Sequence, residues 1–370
     1  MFNQTTQLFF ELIQITVGAK DNFQRMPISY EWDSLYHHAV KQSLASVLLD
    51  GIKKVKATQK ELDRNLLLGW IGIQQMAISR NCLQNERTIE LCELLEKAGF
   101  KCCILKGQGT SLYYEFPKHR QCGDIDVWVT KEGGCKTDDV RREIIQYAKS
   151  KGYSIGHVDI KHSDISFFED VPVEVHFTPS WMYNPITNKR LQRFLSNQSR
   201  RQFANMDESA GYTHTTVDFD LVFSLVHIYR HVFSEGIGLR QLMDYYYILL
   251  RSSMEQRKEA FRIVCSLKMT SFAGGIMWIL KECFGMREDY LLCHTNEQHG
   301  QYILSEVLMA GNFGRYDNRL HRVDHNKKIK RGIVQLKRNL RFINYYPSEV
   351  LWSPIWKVWH YVWRKRKGYL

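Results

Sequence analysis

The stretch Gly123-Asp124-Ile125-Asp126-Val127-Trp128-Val129-Thr130 decides how this chain is read. Side chains alternate across a strand, so Ile125, Val127 and Val129 form an apolar row that faces a core. Asp124 and Asp126 then share the opposite face, their Cα atoms roughly 6.6 Å apart at strand rise. Two carboxylates at that spacing can converge on a hard cation, which prefers oxygen ligands. A second strand with the same pattern follows downstream. There Val171, Val173, Val175 and Phe177 form the apolar row, and Glu174 and His176 project from the other side. If the two strands lie side by side, three carboxylates meet on one face. Phosphoryl transfer uses such a site: two metals about 3.5–4 Å apart stabilise both the attacking and the leaving oxygen. The two aspartates would bridge both ions. The third acid would stand near the incoming hydroxyl and accept its proton.

Working outward, Glu86 to Ala98 reads as an amphipathic helix stopped by Gly99, and Cys102 to Leu105 as a short buried strand. Lys106-Gly107-Gln108-Gly109 follows it, then a short helix over Thr110 to Phe116 ended by Pro117. Past the Asp strand come a helix over Asp138 to Ser150 and strands over Tyr153 to Val158, Ser163 to Phe168 and Val171 to Phe177. The first eighty residues read as helical, with a polar interruption over Lys54 to Gln59. Helix returns after about residue 215. There Asp218 to Phe233 and Leu239 to Leu250 are parted by Gly236 and Gly238, and helical spacing runs on through Phe261 to Phe284 and Tyr302 to Met309. The expected class is α+β: a small mixed-sheet core flanked by N-terminal and C-terminal helical segments. The expected divisions are residues 1–83, 84–215, 216–310 and a C-terminal extension over 311–370.

Composition narrows the classes. No stretch approaches the roughly 18 apolar residues of a membrane span. Met1-Phe2-Asn3-Gln4 lacks a signal peptide's basic start. The nine cysteines are scattered without C-x-x-C pairs, so neither a disulfide framework nor a zinc site is indicated. A cytoplasmic compartment is expected, with peripheral membrane attachment left open by the tail. The whole net charge of +12 lies in residues 311–370, where 15 Lys or Arg face 3 Asp or Glu. Within that tail Trp352, Trp356, Trp359 and Trp363 follow 4-3-4 spacing on a helix expected to start near Pro354, and Arg364-Lys365-Arg366-Lys367 comes next. The pattern suits an anionic membrane surface or an acidic partner. It suits equally well docking onto the protein's own helices.

The combination of Ile104-Leu105-Lys106-Gly107, Arg120-Gln121-Cys122-Gly123-Asp124-Ile125-Asp126-Val127 and Val173-Glu174-Val175-His176-Phe177 resembles the DNA polymerase β-type nucleotidyltransferase superfamily. More narrowly it is similar to a bacterial family of uncharacterised nucleotidyltransferases. The resemblance is good over residues 84 to 180. It implies that Gly107 opens a phosphate-binding turn, that Asp124 and Asp126 ligate Mg²⁺ (or Mn²⁺), and that Glu174 is the third acid. The implied activity is metal-dependent transfer of a nucleotidyl group from an NTP to an acceptor hydroxyl of unknown identity. One departure is Gln108, where the wider superfamily has Ser or Gly after the turn glycine. The phosphate grip then falls to backbone N–H groups, Gln108, Lys106 or Ser111; Lys106 and Arg120 suit phosphate oxygens, Arg120 through its bidentate fork, and equally suit charge balance for the aspartates.

Other residues carry weaker signals. His227 and His231 have metal-ligand spacing on one helix, but no third ligand is near and packing is the plainer reading. Arg240 and Asp244 read as an i,i+4 ion pair. The narrower family's pattern gives them, with a nearby His, a pocket-lining role. Two rival functions remain. One is a D-x-D glycosyltransferase holding a nucleotide sugar, against which the helical first eighty residues count. The other is a non-catalytic binding module of the same fold.

Overall fold

A computed structural model of the chain describes residues 2–55, 62–133, 136–317, 319 and 328–369. Residues 56–59 of the expected polar interruption lie outside the described residues. Helices α1 (Gln4–Thr16), α2 (Ser29–Lys41), α3 (Ala45–Lys54) and α4 (Arg64–Lys97) come first. The expected helix ending at Ala98 is the last third of α4, which begins where the Asp63 carboxylate accepts from the Asn65 amide at 2.8 Å. Gly99 stops it at φ +81, a left-handed conformation that suits glycine.

The sheet comprises β1 (Lys101–Leu105), β2 (Ile125–Thr130), β3 (Ile155–Val158), β4 (His162–Ile165) and β5 (Val173–His176), in the order β1-β2-β5-β4-β3. Strands β2 and β5 pair in parallel and the other neighbours are antiparallel, so the sheet is mixed. The short helix α5 spans Gly107–Ser111, a few residues earlier than expected, and α6 spans Thr137–Ser150. Ile125, Val127 and Val129 are buried with Val173 and Val175 against Leu91 and Leu95 of α4 and Val140 and Ile144 of α6. The apolar row therefore faces its core as the alternation requires. Each such fully buried side chain is worth about 1.5–3 kcal/mol.

The opposite face of the sheet meets a second, larger core. Trp128 packs against Phe203, at the end of α7 (Pro185–Gln202), with ring centroids 4.6 Å apart. It also stacks on Phe219 of α8 (Val217–Ser234) at 6.1 Å. A small hairpin, β6 (Met206–Asp207) with β7 (Tyr212–Thr213), precedes α8. Then come α9 (Leu239–Arg251), α10 (Met254–Ser266), α11 (Thr270–Phe284) and α12 (Glu297–Ala310). Side chains of α1 to α3 and of α8 to α12 belong to this one cluster. The fold class is α+β, with a five-stranded mixed sheet flanked by helices. No helix among the described residues is long and apolar enough to cross a membrane.

The tail forms α13 (Lys328–Leu340) and α14 (Pro347–Lys367). Helix α14 starts at Pro347 rather than near Pro354, because proline at the first turn has no helical N–H to lose. The tryptophan stripe lies against the protein body, half-buried, with Trp359 still 46% exposed. Trp356 meets Tyr183 at 5.3 Å, Trp359 lies parallel to Trp181 at 6.4 Å, and the Arg141 guanidinium sits 5.0 Å from the Trp363 ring. Of the two sequence-based readings, docking on the protein's own body accounts for these indoles.

Candidate active site

In the parallel pairing of β2 with β5, Asp126 lies opposite Glu174. That register puts the three acids together: ligand oxygens of Asp124, Asp126 and Glu174 fall within 4.8 Å of one another. Asp124 is placed at the mouth of β2, one residue before the ladder begins, and Asp126 is nearly buried. Donors surround the group. Lys106 Nζ and His176 Nε2 each lie 2.8 Å from Asp126 Oδ1, and His176 Nε2 is 3.4 Å from Glu174 Oε2.

The charges respond to this packing. The Asp126 charge and burial raise Asp124 to about 6. Burial pushes Asp126 upward too, but Lys106 and His176 outweigh it and hold its carboxyl below the ordinary range. Glu174 is lowered still further, since the His176 hydrogen bond and the nearby His162 and Lys106 overcome its burial. Glu174 is thus a firmly ionised oxygen donor and a poor proton acceptor. A general base works best with a pKa near the operating pH, so in the metal-free protein this environment favours oxygen ligation by Glu174 over proton transfer.

Lys106 and Gly107 turn the chain from β1 into α5. Both have positive φ, +45 for Lys106 and +42 for Gly107. For a lysine that conformation costs on the order of 1–3 kcal/mol, and strain of this kind clusters at functional sites. It lets the Lys106 ammonium reach back to Asp126. A Cβ on Gly107 would come 3.7 Å from the Asp124 carbonyl oxygen, ordinary contact, so the glycine is required here by its φ rather than by crowding.

A cavity of about 60 Å³ opens beside the acids, lined among others by Lys106, Gly107, Thr110, Asp124 and Asp126. Arg120, His227, Arg240 and Asp244 close its other side. The space is large enough for a cation and its waters and too small for a whole nucleotide. Arg120 is gripped by Asp244 through two parallel bonds, Nε to Oδ1 at 2.7 Å and Nη2 to Oδ2 at 2.8 Å. The Tyr114 hydroxyl donates to the same carboxylate at 2.6 Å. Arg240 does not pair with Asp244 as helix spacing suggested; its Nη1 donates to the Gln121 carbonyl at 2.5 Å. Arg120 Nη1 and Arg240 Nε are buried with no hydrogen-bond partner among the described residues. Both arginines line the cavity, and two guanidinium groups on one wall suit an anion.

Gln108 and Ser111 lie apart from this group. Gln108 donates to Asn85 Oδ1, the Ser111 hydroxyl donates to the Gln108 carbonyl at 2.7 Å, and both residues are buried. Neither lines the cavity, so of the candidates for the phosphate grip only Lys106, Gly107 and Arg120 border it. His227 stands on the cavity wall, four residues from His231, whose Nδ1 is 3.6 Å from Glu235. The pocket-lining role that the family resemblance implied for Arg240, Asp244 and a nearby His agrees with their place on this wall, whereas the residues around Thr110 point to no site role and only the tertiary fold brings it here. His162 is a further residue that the sequence reading misses, although the alternation His162-Ser163-Asp164 on a strand is a usable signal.

The family described as uncharacterised nucleotidyltransferase matches residues 29–285. The chain belongs to this family. The match spans α2 to α4 before the sheet, the three acids and the helices through α11, and it supports a nucleotidyltransferase-type function. No curated protein matches the chain.

Proposed function

We propose that this family member transfers a nucleotidyl group from an NTP to an acceptor hydroxyl at the Asp124/Asp126/Glu174 centre, in the manner of DNA polymerase β-type enzymes. The carrying observation is the convergence of Asp124, Asp126 and Glu174 at the mouths of β2 and β5, with Asp124 and Asp126 bordering a cavity that Arg120 and Arg240 also line. An all-oxygen donor set of three carboxylates suits Mg²⁺ or Mn²⁺. Bound there, the cation would neutralise phosphate charge and lower the pKa of a coordinated hydroxyl.

The residues divide the remaining work. Asp124, Asp126 and Glu174 bind the metal, and Lys106 fixes Asp126. Gly107 presents backbone beside the acids, and Arg120 and Arg240 offer their guanidinium groups to phosphate oxygens. Asp244 and Tyr114 position Arg120. The acceptor hydroxyl gives its proton to solvent as its oxygen attacks the α-phosphorus, the bond to the β-phosphate oxygen breaks, and pyrophosphate leaves. Nothing beyond positioning and charge neutralisation is asked of the protein. The described cysteines are free thiols, which fits a reducing cytoplasmic compartment.

Asp124→Asn combined with Asp126→Asn should abolish Mg²⁺-dependent binding of an NTP, followed by calorimetry against ATP, GTP, CTP and UTP. Intact binding by the double variant would sink the assignment. Binding of UDP-sugars but of no NTP would transfer the site to the glycosyltransferase reading.

The tail has its own proposal. The outward face of α14 carries Leu351, Ile355, Val358 and Val362, all exposed, beside a half-exposed Trp359. Arg364 to Lys367 follow on the same helix. An exposed apolar stripe ending in a basic cluster is read as a contact for an anionic lipid surface.

A further inference from the structure

Strand β4 pairs antiparallel with β5 so that His162 lies opposite His176 and Asp164 opposite Glu174. All four side chains therefore share the face on which the three acids meet. The two imidazole rings stand 5.3 Å apart. His162 Nδ1 is 3.7 Å from Glu174 Oε2, and His176 Nε2 is 3.4 Å from the same oxygen. One ligand atom each from His162, Glu174 and His176 falls within 4.8 Å of the others.

His162 is the unexplained member. It is only 9% exposed, and its Nδ1 has no hydrogen-bond partner among the described residues. A buried polar atom left unpaired costs about 1–3 kcal/mol. At 3.7 Å the Glu174 oxygen is too distant to be that partner, yet it stands where a shared cation would place it. Ligands held 2.0–2.1 Å from a tetrahedral metal are separated from one another by roughly 3.3–3.4 Å. The observed 3.4 and 3.7 Å are close to that spacing. Behind the ring, His162 Nε2 faces Asp164 Oδ1 at 3.7 Å. That is beyond hydrogen-bond length, so Asp164 would have to close on the ring to serve as the outer carboxylate partner that fixes the tautomer of a metal-bound histidine.

We propose that His162, Glu174 and His176 form a second cation site, specific for a late divalent transition metal of the Zn²⁺ or Co²⁺ kind. Two imidazoles and one carboxylate favour such ions over Mg²⁺, which takes oxygen ligands. The site is separate from the Asp124/Asp126 pair but shares Glu174 with it. Filling it engages His176 Nε2 and so removes that group's hydrogen bond to Asp126 Oδ1, leaving Lys106 as the partner of Asp126. The second ion thereby frees one lone pair of Asp126 for the first. This inference does not rest on nucleotidyl transfer, since it requires only metal and protein.

The test is titration of the full chain with Co²⁺ alone, followed by visible absorption and by metal stoichiometry after gel filtration. The expected result is one tightly held Co²⁺ per chain with the intense visible bands of four-coordinate nitrogen and oxygen ligation. His162→Ala should weaken it by more than about 100-fold, beyond the 10–100-fold typical of losing an outer partner. Asp164→Asn should fall within that smaller range, and it is an exposed side chain whose replacement spares the core. Asp124→Asn should retain the bands. Equal Co²⁺ affinity and spectrum in parent and His162→Ala would overturn the site, as would absence of Co²⁺ from the parent. His162→Gln, melted alongside, separates loss of the ligand from loss of the fold. A failure of NTP binding leaves every one of these readings unaffected.

Discussion

Asp124 is the group at which metal and proton compete most directly. In the folded, metal-free protein it is held at about 6 against an ordinary 3.8, raised first by the charge of Asp126 and then by burial. Between those values the native state keeps a proton that the unfolded chain has lost. Its contribution to stability therefore falls as pH rises from about 4 to 6 and is constant above that. Asn at this position carries no charge, so Asp124→Asn should be more stable than the parent above pH 6, with the difference shrinking toward pH 4. Every tenfold change in a carboxyl group's proton affinity is worth about 1.4 kcal/mol, a difference that urea unfolding across this range resolves. Mg²⁺ has the opposite pH dependence. It needs the ionised carboxylate, so its affinity should weaken as pH falls through 6, with up to about one proton released per ion bound below that pH. Calorimetry in two buffers of different ionisation enthalpy measures this, and Mg²⁺ affinity unchanged from pH 5 to 7.5 would refute the assignment of Asp124 as ligand. The acids themselves were legible in the sequence because strand alternation alone puts Asp124 and Asp126 on one face. The proton inventory was not, since it depends on Lys106 and on His176, which reach Asp126 only through the folded register.

Between elements, the site depends on a long-range clamp. Arg120 precedes β2 and Asp244 sits on α9, 124 residues away, so no local spacing announces the pair. Sequence reasoning pairs Asp244 with its helix neighbour Arg240 instead, because i,i+4 contacts are the one kind of ion pair that a single helix reveals. In the fold both arginines reach from α9 or toward it across the loop over residues 120–123, and that loop carries Gly123 and Asp124 to the mouth of β2. The pair is well buried, with side chains 5% and 14% exposed. Breaking such a pair leaves an uncompensated charge, at a cost of about 3–5 kcal/mol. Arg120→Ala and Asp244→Ala should each lower the melting temperature sharply. The double variant should be less destabilised than the sum of the two, with a coupling of about 0.5–3 kcal/mol. Arg120→Lys keeps the charge but cannot form both parallel bonds, so it should rescue only part of the loss. Strict additivity in the cycle would mean that the clamp is not a unit. The length of α4 was also hidden. Its first turns carry glycines at 69 and 72, which mask a helix running unbroken from Arg64 to Lys97.

The whole molecule separates its chemistry from its charge. The surplus of +12 sits in the last sixty residues, while the carboxylates lie in the sheet. Helix α14 links the two by packing its indoles on Trp181 and Tyr183, which follow β5, and on Arg141 of α6. Glu349 near its start is buried, 3.6 Å from Arg230 of α8. The spacing of the tryptophans could be read from sequence, but not which way they point, because a stripe at helical period faces protein or lipid with equal ease. The two faces of α14 now make separable predictions. Deleting residues 348–370 removes the indoles together with Glu349 and should lower the melting temperature and promote aggregation. Replacing Leu351, Ile355, Val358 and Val362 together by Ser touches only side chains that are 41–67% exposed, so the fold should melt within a few degrees of the parent. That quadruple variant should lose co-sedimentation with phosphatidylglycerol vesicles at low salt, where the parent pellets. High salt should release the parent, because basic residues near an anionic surface contribute about 1 kcal/mol each and are screened within a Debye length. Vesicles of phosphatidylcholine alone should capture neither protein. A parent that stays in the supernatant with anionic vesicles at low salt would remove the lipid contact, and binding to a soluble acidic polymer alone would redirect the basic cluster to an acidic partner.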